Sequence, residues 1–404
     1  MSKFVSFSGV KEGPPDAILG IKKRFLADLN LEQRTDVTVG AYRDENGKPV
    51  VLQVVRKAEE LILNNQARTK EYLPMAGDPA FIAATQDFCF GSDSPSLKQG
   101  RIATVQALSG TGALRVGGEF LANHFPGAVV HIPDPTWGNH FAIFKNAGLQ
   151  TAKYRYWNAS SKGLDFEAMT EDLLAIPSGD IVILHVCSHN PTGVDPNEEQ
   201  WQKIAEICQS RKLLPFFDSA YQGFATGDVD KDAYAVRLFD RLGMCMLVAQ
   251  SYSKNMGLYG ERIGALNVVL DSPEAKVGVI SQLEIVIRPM YSNPPRHGAA
   301  IVALILSDPV LRDEWKVELK AITNRIREMR VGLRKAVEAT GAPGHWDFIT
   351  DQIGMFTFTG LSAEQVGSME KNYHIYMTSN GRISVAGLTS DKLEHVAKAI
   401  RSVL

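Results

Sequence analysis

Residues 181–193 read IVILHVCSHNPTG, a nearly unbroken apolar run that stops in a polar turn built on Pro191 and Gly193. A strand with one face in water alternates polar and apolar residues, whereas a strand buried on both faces does not, and burial on both faces is the mark of a parallel sheet clad by helices. Similar runs lie on either side. Ile102–Ala107, Ala128–Ile132, Leu213–Phe217, Met244–Ala249 and Ala265–Leu270 are strand candidates, and the amphipathic stretches Gly112–Asn123, Asn139–Ala147, Phe166–Ala175 and Glu198–Ser210 fall between them. Strand and helix in alternation specify an α/β fold with a mostly parallel sheet.

Outside this middle the pattern changes. From Pro49 to Ala67, Val50, Val51, Val54, Val55, Ala58, Leu61 and Ile62 recur at helical spacing, with Pro49 at a first-turn position. The first sixteen residues show no period and run into Gly13-Pro14-Pro15, so they read as an extended arm that lies on a partner subunit or frays. Beyond Pro309, LRDEWKVELKAITNRIREMRVGLRKAVEA predicts a long amphipathic helix with room for one bend, ending at Gly341 and Pro343. Short strands at Met355–Thr359 and Ile383–Val385 and helices at Ala363–Lys371 and Asp391–Val403 make the tail an α+β piece. No internal repeat or low-complexity segment occurs.

Composition narrows the function classes. At 404 residues, with 45% hydrophobic content, the chain is long enough for about two to three domains and too apolar to be disordered. Forty-three Lys+Arg against 45 Asp+Glu give a net charge of -2, which offers nothing to nucleic acid. Cys89, Cys187, Cys208 and Cys245 lie far apart with no histidine at metal-ligand spacing, so neither a disulfide framework nor a structural metal is expected. No apolar run, including Ile301–Leu306, approaches the roughly 18–20 residues that cross a bilayer, so no membrane partner is expected. The opening MSKFVSFSGVKEGPPD has the character of neither a signal nor a transit peptide. The expected compartment is the cytoplasm, or the mitochondrion if the chain is a processed form.

In a parallel α/β sheet, chemistry collects in the loops after the strands. Strand Ile102–Ala107 runs into Leu108-Ser109-Gly110-Thr111-Gly112 and a helix, which is either an ordinary strand-to-helix turn or a phosphate cradle of hydroxyls and free N–H groups. Arg115 stands where a dinucleotide fingerprint needs glycine, which disfavours a nicotinamide site. Asn190 follows the 181–187 run. Asp218 ends strand Leu213–Phe217 with Tyr221 three residues on, and is either a helix cap or the partner of something cationic. Lys254 sits after another buried strand between Ser251, Ser253 and Asn255, either as a surface residue or as an amine desolvated enough to be a nucleophile.

Taken together, a phosphate cradle, a lysine for an aldehyde, a carboxylate for a ring nitrogen and an Asn/Tyr pair for a phenolic oxygen match the binding needs of pyridoxal phosphate. The chain resembles the aspartate aminotransferases, class I, fold-type I enzymes. The resemblance is carried by YRDENGKP, EYLPMAG, LSGTGALR, DPTWGNH, HNPTG, FFDSAYQGF, SYSKNMGLYGERIG, RPMYSNPP, GMFTFTGL and GRISVAGL, in the family's order from Tyr42 to Leu388. One departure is Gly260, where the family more often has asparagine.

The resemblance implies a large domain with a seven-stranded, mostly parallel sheet and a smaller α+β domain. Its boundaries would be an arm at 1–15, small-domain segments at 16–48 and 323–404, and the cofactor-binding domain at 49–322. It implies pyridoxal 5'-phosphate bound covalently through Lys254, which then shuttles a proton; Asp218 at the ring nitrogen; Asn190 and Tyr221 at the ring oxygen; and Trp137 on the ring face. The phosphate would lie among Ser109, Gly110, Thr111, Ser251 and Arg262, with Tyr72 reaching in from the other subunit of a homodimer. Arg382 would take the substrate α-carboxylate beside Gly40, and Arg288 the distal carboxylate across the interface. His140 and His185 would be partners of Asp218 or plain core residues, and Phe356 also falls near the site. The implied activity is reversible amino transfer from L-aspartate to 2-oxoglutarate by a ping-pong mechanism, with aromatic amino acids as possible side substrates. A regulatory module that merely senses the cofactor would need an added DNA-binding domain, for which the chain has no spare length.

Overall fold

A computed structural model describes residues 7–14, 16 and 18–404. Seven strands form the central sheet: Ile102–Leu108 (β1), Val129–Asp134 (β2), Gln150–Arg155 (β3), Ile181–His185 (β4), Leu214–Ser219 (β5), Met246–Ser251 (β6) and Ile263–Val269 (β7). They lie in the order β1-β7-β6-β5-β4-β2-β3. β7 runs antiparallel to both of its neighbours, while the pairings of β6 with β5, β5 with β4, β4 with β2 and β2 with β3 are parallel. Every residue of β4, β6 and β7 is buried, as the continuous apolar runs require. β3 escaped the sequence reading because it is an edge strand, QTAKYR, with two exposed polar residues and an exposed arginine instead of an apolar run.

Helices cover both faces. The 109–124 helix, Ser109–His124 (α1), packs on β7 and β6, and the helix Glu198–Arg211 buries Trp201, Ile204, Ala205, Ile207 and Cys208 under the opposite face. The expected Pro49–Ala67 helix is shorter, Gln53–Asn64, and Pro49 is not in its first turn. Pro49 instead forms an isolated antiparallel bridge with Arg43, so the apolar Val50 and Val51 lead into the helix from extended chain. Three helices lacked a visible period, Pro79–Phe90, Ala275–Met290 and Arg296–Ser307. The first and third are apolar around much of their circumference because they are packed between other layers.

The helix Pro309–Ala339 (α2) runs 31 residues without a break. Asp308 caps it by accepting from the Val310 and Leu311 N–H groups, and Pro309 sits at its start, where no donor is lost. Its buried stripe, Leu311, Trp315, Leu319, Ile322, Ile326, Met329, Leu333 and Val337, keeps the three-four spacing throughout. Near its start, Trp315 packs on Phe88 and donates to the Asn255 carbonyl (2.7 Å). Near its end, Gly332 lies against Leu393 of the C-terminal helix Leu393–Val403.

The two ends of the chain meet. Thr35–Asp36 pairs in parallel with Ile375–Tyr376, and Phe356–Phe358 pairs antiparallel with Arg382–Ser384. The resulting α+β body overhangs the carboxyl ends of β4, β5 and β6. Of the expected N-terminal arm, residues 1–6 and Pro15 lie outside the described residues; 7–14 are exposed. All four cysteines are free.

Candidate active site

The carboxyl ends of the parallel strands and the overhanging body enclose a cleft of about 730 Å³. Register builds it: His185 of β4 pairs with Asp218 of β5, and Asp218 with Ala249 of β6. Adjacent strands therefore deliver their terminal side chains at one level. Ser109, Gly110, Thr111, Trp137, Asn190, Asp218, Tyr221, Ser251, Lys254, Arg262, Arg382 and Gly40 all line this one cavity.

Asp218 is 8% exposed and lies at its floor. Burial alone would raise its pKa, but the 3.0 Å hydrogen bond to His140 Nε2, with the His185 imidazole and the Lys254 amine nearby, outweighs it, leaving the carboxyl below its ordinary value. His140 is fully buried; its Nδ1 meets Thr136 Oγ1 at 2.8 Å, and the same hydroxyl lies 3.4 Å from His185 Nε2. His185 Nδ1 in turn accepts from the Asn190 N–H (3.2 Å). Burial, with His189 and His140 beside it, pushes His185 well below the usual imidazole range, so it is neutral. His140, His185 and Asp218 offer ligand atoms within 4.8 Å of one another. Most of those atoms are already engaged with protein groups: His140 holds the carboxylate directly, while His185 bonds Thr136 and the Asn190 N–H as a hydrogen-bonded core residue.

Lys254 enters from the turn after β6. Burial lowers its pKa to about 8, with Arg262 and Arg382 adding to the effect and Asp218 opposing it. Its Nζ stands 5.3 Å from the centre of the Tyr221 ring. The Tyr221 hydroxyl accepts from Asn190 Nδ2 (3.4 Å), and burial raises its pKa well above the ordinary value despite Arg382 nearby.

At the start of α1 three hydroxyls gather. Ser109 Oγ lies 2.9 Å from Ser251 Oγ and 2.7 Å from Ser253 Oγ. No side chain caps this helix, and its first residues, Ser109, Gly110 and Thr111, line the cleft. Gly110 keeps the wall low: a Cβ there would lie 3.4 Å from Ser251 Cβ and 4.0 Å from Asp218 Oδ1. Arg262 is exposed on the rim and donates to the Tyr259 carbonyl (3.1 Å). Ser253, Thr136 and Tyr259 were not singled out from sequence. Serine beside a proposed nucleophile was the one visible signal for Ser253, while Thr136 is identified only by the histidines it touches.

Arg382 is 3% exposed and aims into the cleft from the overhanging body. Its Nη1 donates to Asn190 Oδ1 (3.0 Å), its Nη2 to the Thr38 carbonyl (2.7 Å), and its guanidinium lies 4.1 Å from the centre of the Phe356 ring. Burial lowers its pKa to about 10, still charged at neutral pH. Two expected site residues do not reach this cleft from their own chain. Tyr72 is 81% exposed, and Arg288 is exposed with Nη1 donating to Ser292 Oγ (2.5 Å).

The family model for aminotransferase class I and II matches residues 32–400. The chain belongs to this family. The aminotransferase called aspartate aminotransferase, cytoplasmic, of Oryza sativa subsp. japonica is 53% identical over 98% of each chain. The solved aspartate aminotransferase of Saccharomyces cerevisiae cytoplasm superposes with a TM-score of 0.96 at 44% identity, covering 98% of both chains. An aromatic-amino-acid aminotransferase from Burkholderia pseudomallei, covalently bound to pyridoxal phosphate, gives 0.95 at 44% identity over the whole of both. Other relatives covering 98% of this chain carry chloroplastic and mitochondrial names. The aminotransferase family depends on pyridoxal 5'-phosphate, and the cleft fits that group. The low wall at Gly110, the three clustered serines, the rim arginine, the braced carboxylate and the amine of depressed pKa answer a phosphate, a basic ring nitrogen and an aldehyde in turn.

Proposed function

We propose that this chain is an aspartate aminotransferase, moving the amino group of L-aspartate reversibly to 2-oxoglutarate to give oxaloacetate and L-glutamate. The observation that carries the reading is the convergence of Lys254, Asp218 and Arg382 on one cleft. When bound, pyridoxal 5'-phosphate supplies an aldehyde for the amino group and an electron-poor ring for the charge released at the substrate Cα. Lys254 holds the cofactor and, once freed, carries a proton on Nζ; a pKa near 8 lets it both accept and give one near neutrality. Asp218 stays anionic because His140 braces it, and so keeps a proton on the ring nitrogen. Asn190 and Tyr221 would hold the ring oxygen, Trp137 would cover the ring face, and Ser109, Gly110, Thr111, Ser251 and Arg262 would hold the phosphate.

Arg382 takes the α-carboxylate beside Gly40, and Arg288 of a second copy takes the distal one. The homodimer is part of the proposal: Tyr72 and Arg288 are exposed and miss their own cleft, which is what residues completing a neighbour's site would do. The small domain comprises 16–48 and 323–404, with the arm at 1–15 and the large domain at 49–322; α2 spans the second boundary as one continuous rod. The compartment proposed is the cytoplasm, supported by four unpaired cysteines. No helix among the described residues is long and apolar enough to cross a membrane.

Activity on aromatic amino acids is a side reaction. Comparison of kcat/KM for aspartate with that for phenylalanine or tyrosine, 2-oxoglutarate being the acceptor, tests the order; equal values refute the dicarboxylate preference. Arg382→Lys should raise KM for every amino acid, because a single ammonium cannot replace the planar two-pronged donor. An unchanged KM removes Arg382 from the site.

A further inference from the structure

Helix α2 carries a guanidinium that no acid answers. Arg330 is 3% exposed, and among the described residues no carboxylate pairs with it. Burial alone draws its pKa down to about 9. Its fork is directed at one stretch of chain. Nη1 donates to the Ile349 carbonyl (2.9 Å) and Thr357 Oγ1 (2.7 Å), and Nη2 to the carbonyls of Gly354 (2.8 Å) and Phe356 (2.5 Å). Residues 349–357 hold little regular structure beyond the ends of a one-turn helix and a three-residue strand, so their carbonyls need donors from elsewhere. An arginine can reach four acceptors at once because its donors splay in a plane; a lysine, with all its donors on one nitrogen, cannot.

The braced stretch bears on two of the three contacts of Arg382, the Phe356 ring and the turn of Asn190. Phe356 lies under the Arg382 guanidinium and meets the Tyr221 ring edge-on, with centroids 5.9 Å apart. Ile353 donates its N–H to the Gly193 carbonyl (2.7 Å), tying the same stretch to the turn that presents Asn190, the acceptor of Arg382 Nη1. We propose that Arg330 is a positioning residue for the substrate α-carboxylate, holding residues 349–357 so that Phe356 and Asn190 set the height and aim of Arg382. The proposal rests on the reading of Arg382 given above.

The test uses folded holoenzyme of Arg330→Lys, Thr357→Val and Phe356→Leu, with Arg382→Lys as reference. Arg330→Lys should raise KM for aspartate and the Kd for succinate, a dicarboxylate without an amino group, by about tenfold, with kcat changed less than about threefold. Thr357→Val, which removes one acceptor of the same fork, should shift both in the same direction by less. Arg330→Lys combined with Phe356→Leu should cost less than the sum of the two single variants, since both act in part through the Phe356 ring. A purely structural arginine would lower the thermal midpoint and leave KM and Kd alone, and that result overturns the proposal, as does additivity in the cycle. Should Arg330→Lys not accumulate as folded protein, the cycle of Thr357→Val with Phe356→Leu decides in the same way. If Arg382→Lys leaves KM unchanged, the underlying reading of Arg382 fails; if it raises KM while Arg330→Lys does not, the positioning role alone fails.

Discussion

Lys254 shows how one residue's environment becomes a function. Its ammonium ion is disfavoured by burial and by two arginines, and Asp218 only partly compensates. Because the native pKa is about 8 against an ordinary 10.5, the unfolded chain binds more protons between those values, so stability of the cofactor-free protein rises with pH across that window. Below pH 8 the folded state carries a charge it would rather not bury. Lys254→Met should therefore stabilise the apoprotein there by roughly 2 kcal/mol, a figure discounted because water in the cleft screens part of the cost, and the gain should vanish by about pH 10.5. Thermal unfolding of both proteins across pH measures it, and a gap independent of pH contradicts the assignment. The same substitution should leave cofactor binding and abolish turnover, the trade of stability for activity expected of a strained functional residue.

At the level of elements, the phosphate end depends on how closely β7 lets β6 and α1 approach. Gly264 of β7 pairs with Ser251 of β6, and a Cβ there would press first on the Gln250 carbonyl of β6 and then on the Ser109 backbone at 2.8 Å. Ser109 itself has a φ of 61°, so the first residue of α1 is already held in the left-handed region by its surroundings. Gly264→Ala should push α1 outward, part the Ser109–Ser251–Ser253 cluster and cost about 1–3 kcal/mol of stability. Its cofactor dissociation constant, followed by the absorbance of the bound group, should rise at least tenfold, a loss of about 1.4 kcal/mol; unchanged affinity would show that the helix start tolerates the shift. Nothing in the run Ile263–Val269 distinguishes this glycine, because its constraint comes from the neighbouring strand at Gln250 and from a helix more than 100 residues away in the chain.

For the whole molecule, the open question is completeness. One chain supplies the amine, the carboxylate, the proposed phosphate cradle and one arginine, but its Arg288 and Tyr72 are exposed and do not line the cleft. A shared site predicts that specific activity falls on dilution through the dimer dissociation range, and that Arg288→Ala loses aspartate turnover far more than phenylalanine turnover. Mixing Arg288→Ala with an inactive Lys254→Ala partner should partly restore aspartate turnover, since one of the two sites in each hybrid is then intact. Full activity in a demonstrable monomer, or no recovery on mixing, argues against the arrangement.

The α/β fold, the order of its elements and the residues of the cleft floor were legible in the sequence. Double-sided burial forces continuous apolar runs such as 181–187, and chemistry in such a sheet must sit where the runs stop. Boundaries and edges were less legible: β3 is polar because it has one neighbour, and Gln53–Asn64 begins later than the valines suggest because Pro49 joins a bridge. What only the tertiary structure decided is how the cleft is held: His140 on Asp218 with Thr136 on its other nitrogen, Ser253 among the clustered serine hydroxyls, and Arg330 beneath the segment that carries Phe356. Those roles arise from contacts between residues distant in the chain, and no local period or spacing records them. A sequence shows which groups a strand delivers to its end; their protonation and aim depend on what the rest of the fold packs against them.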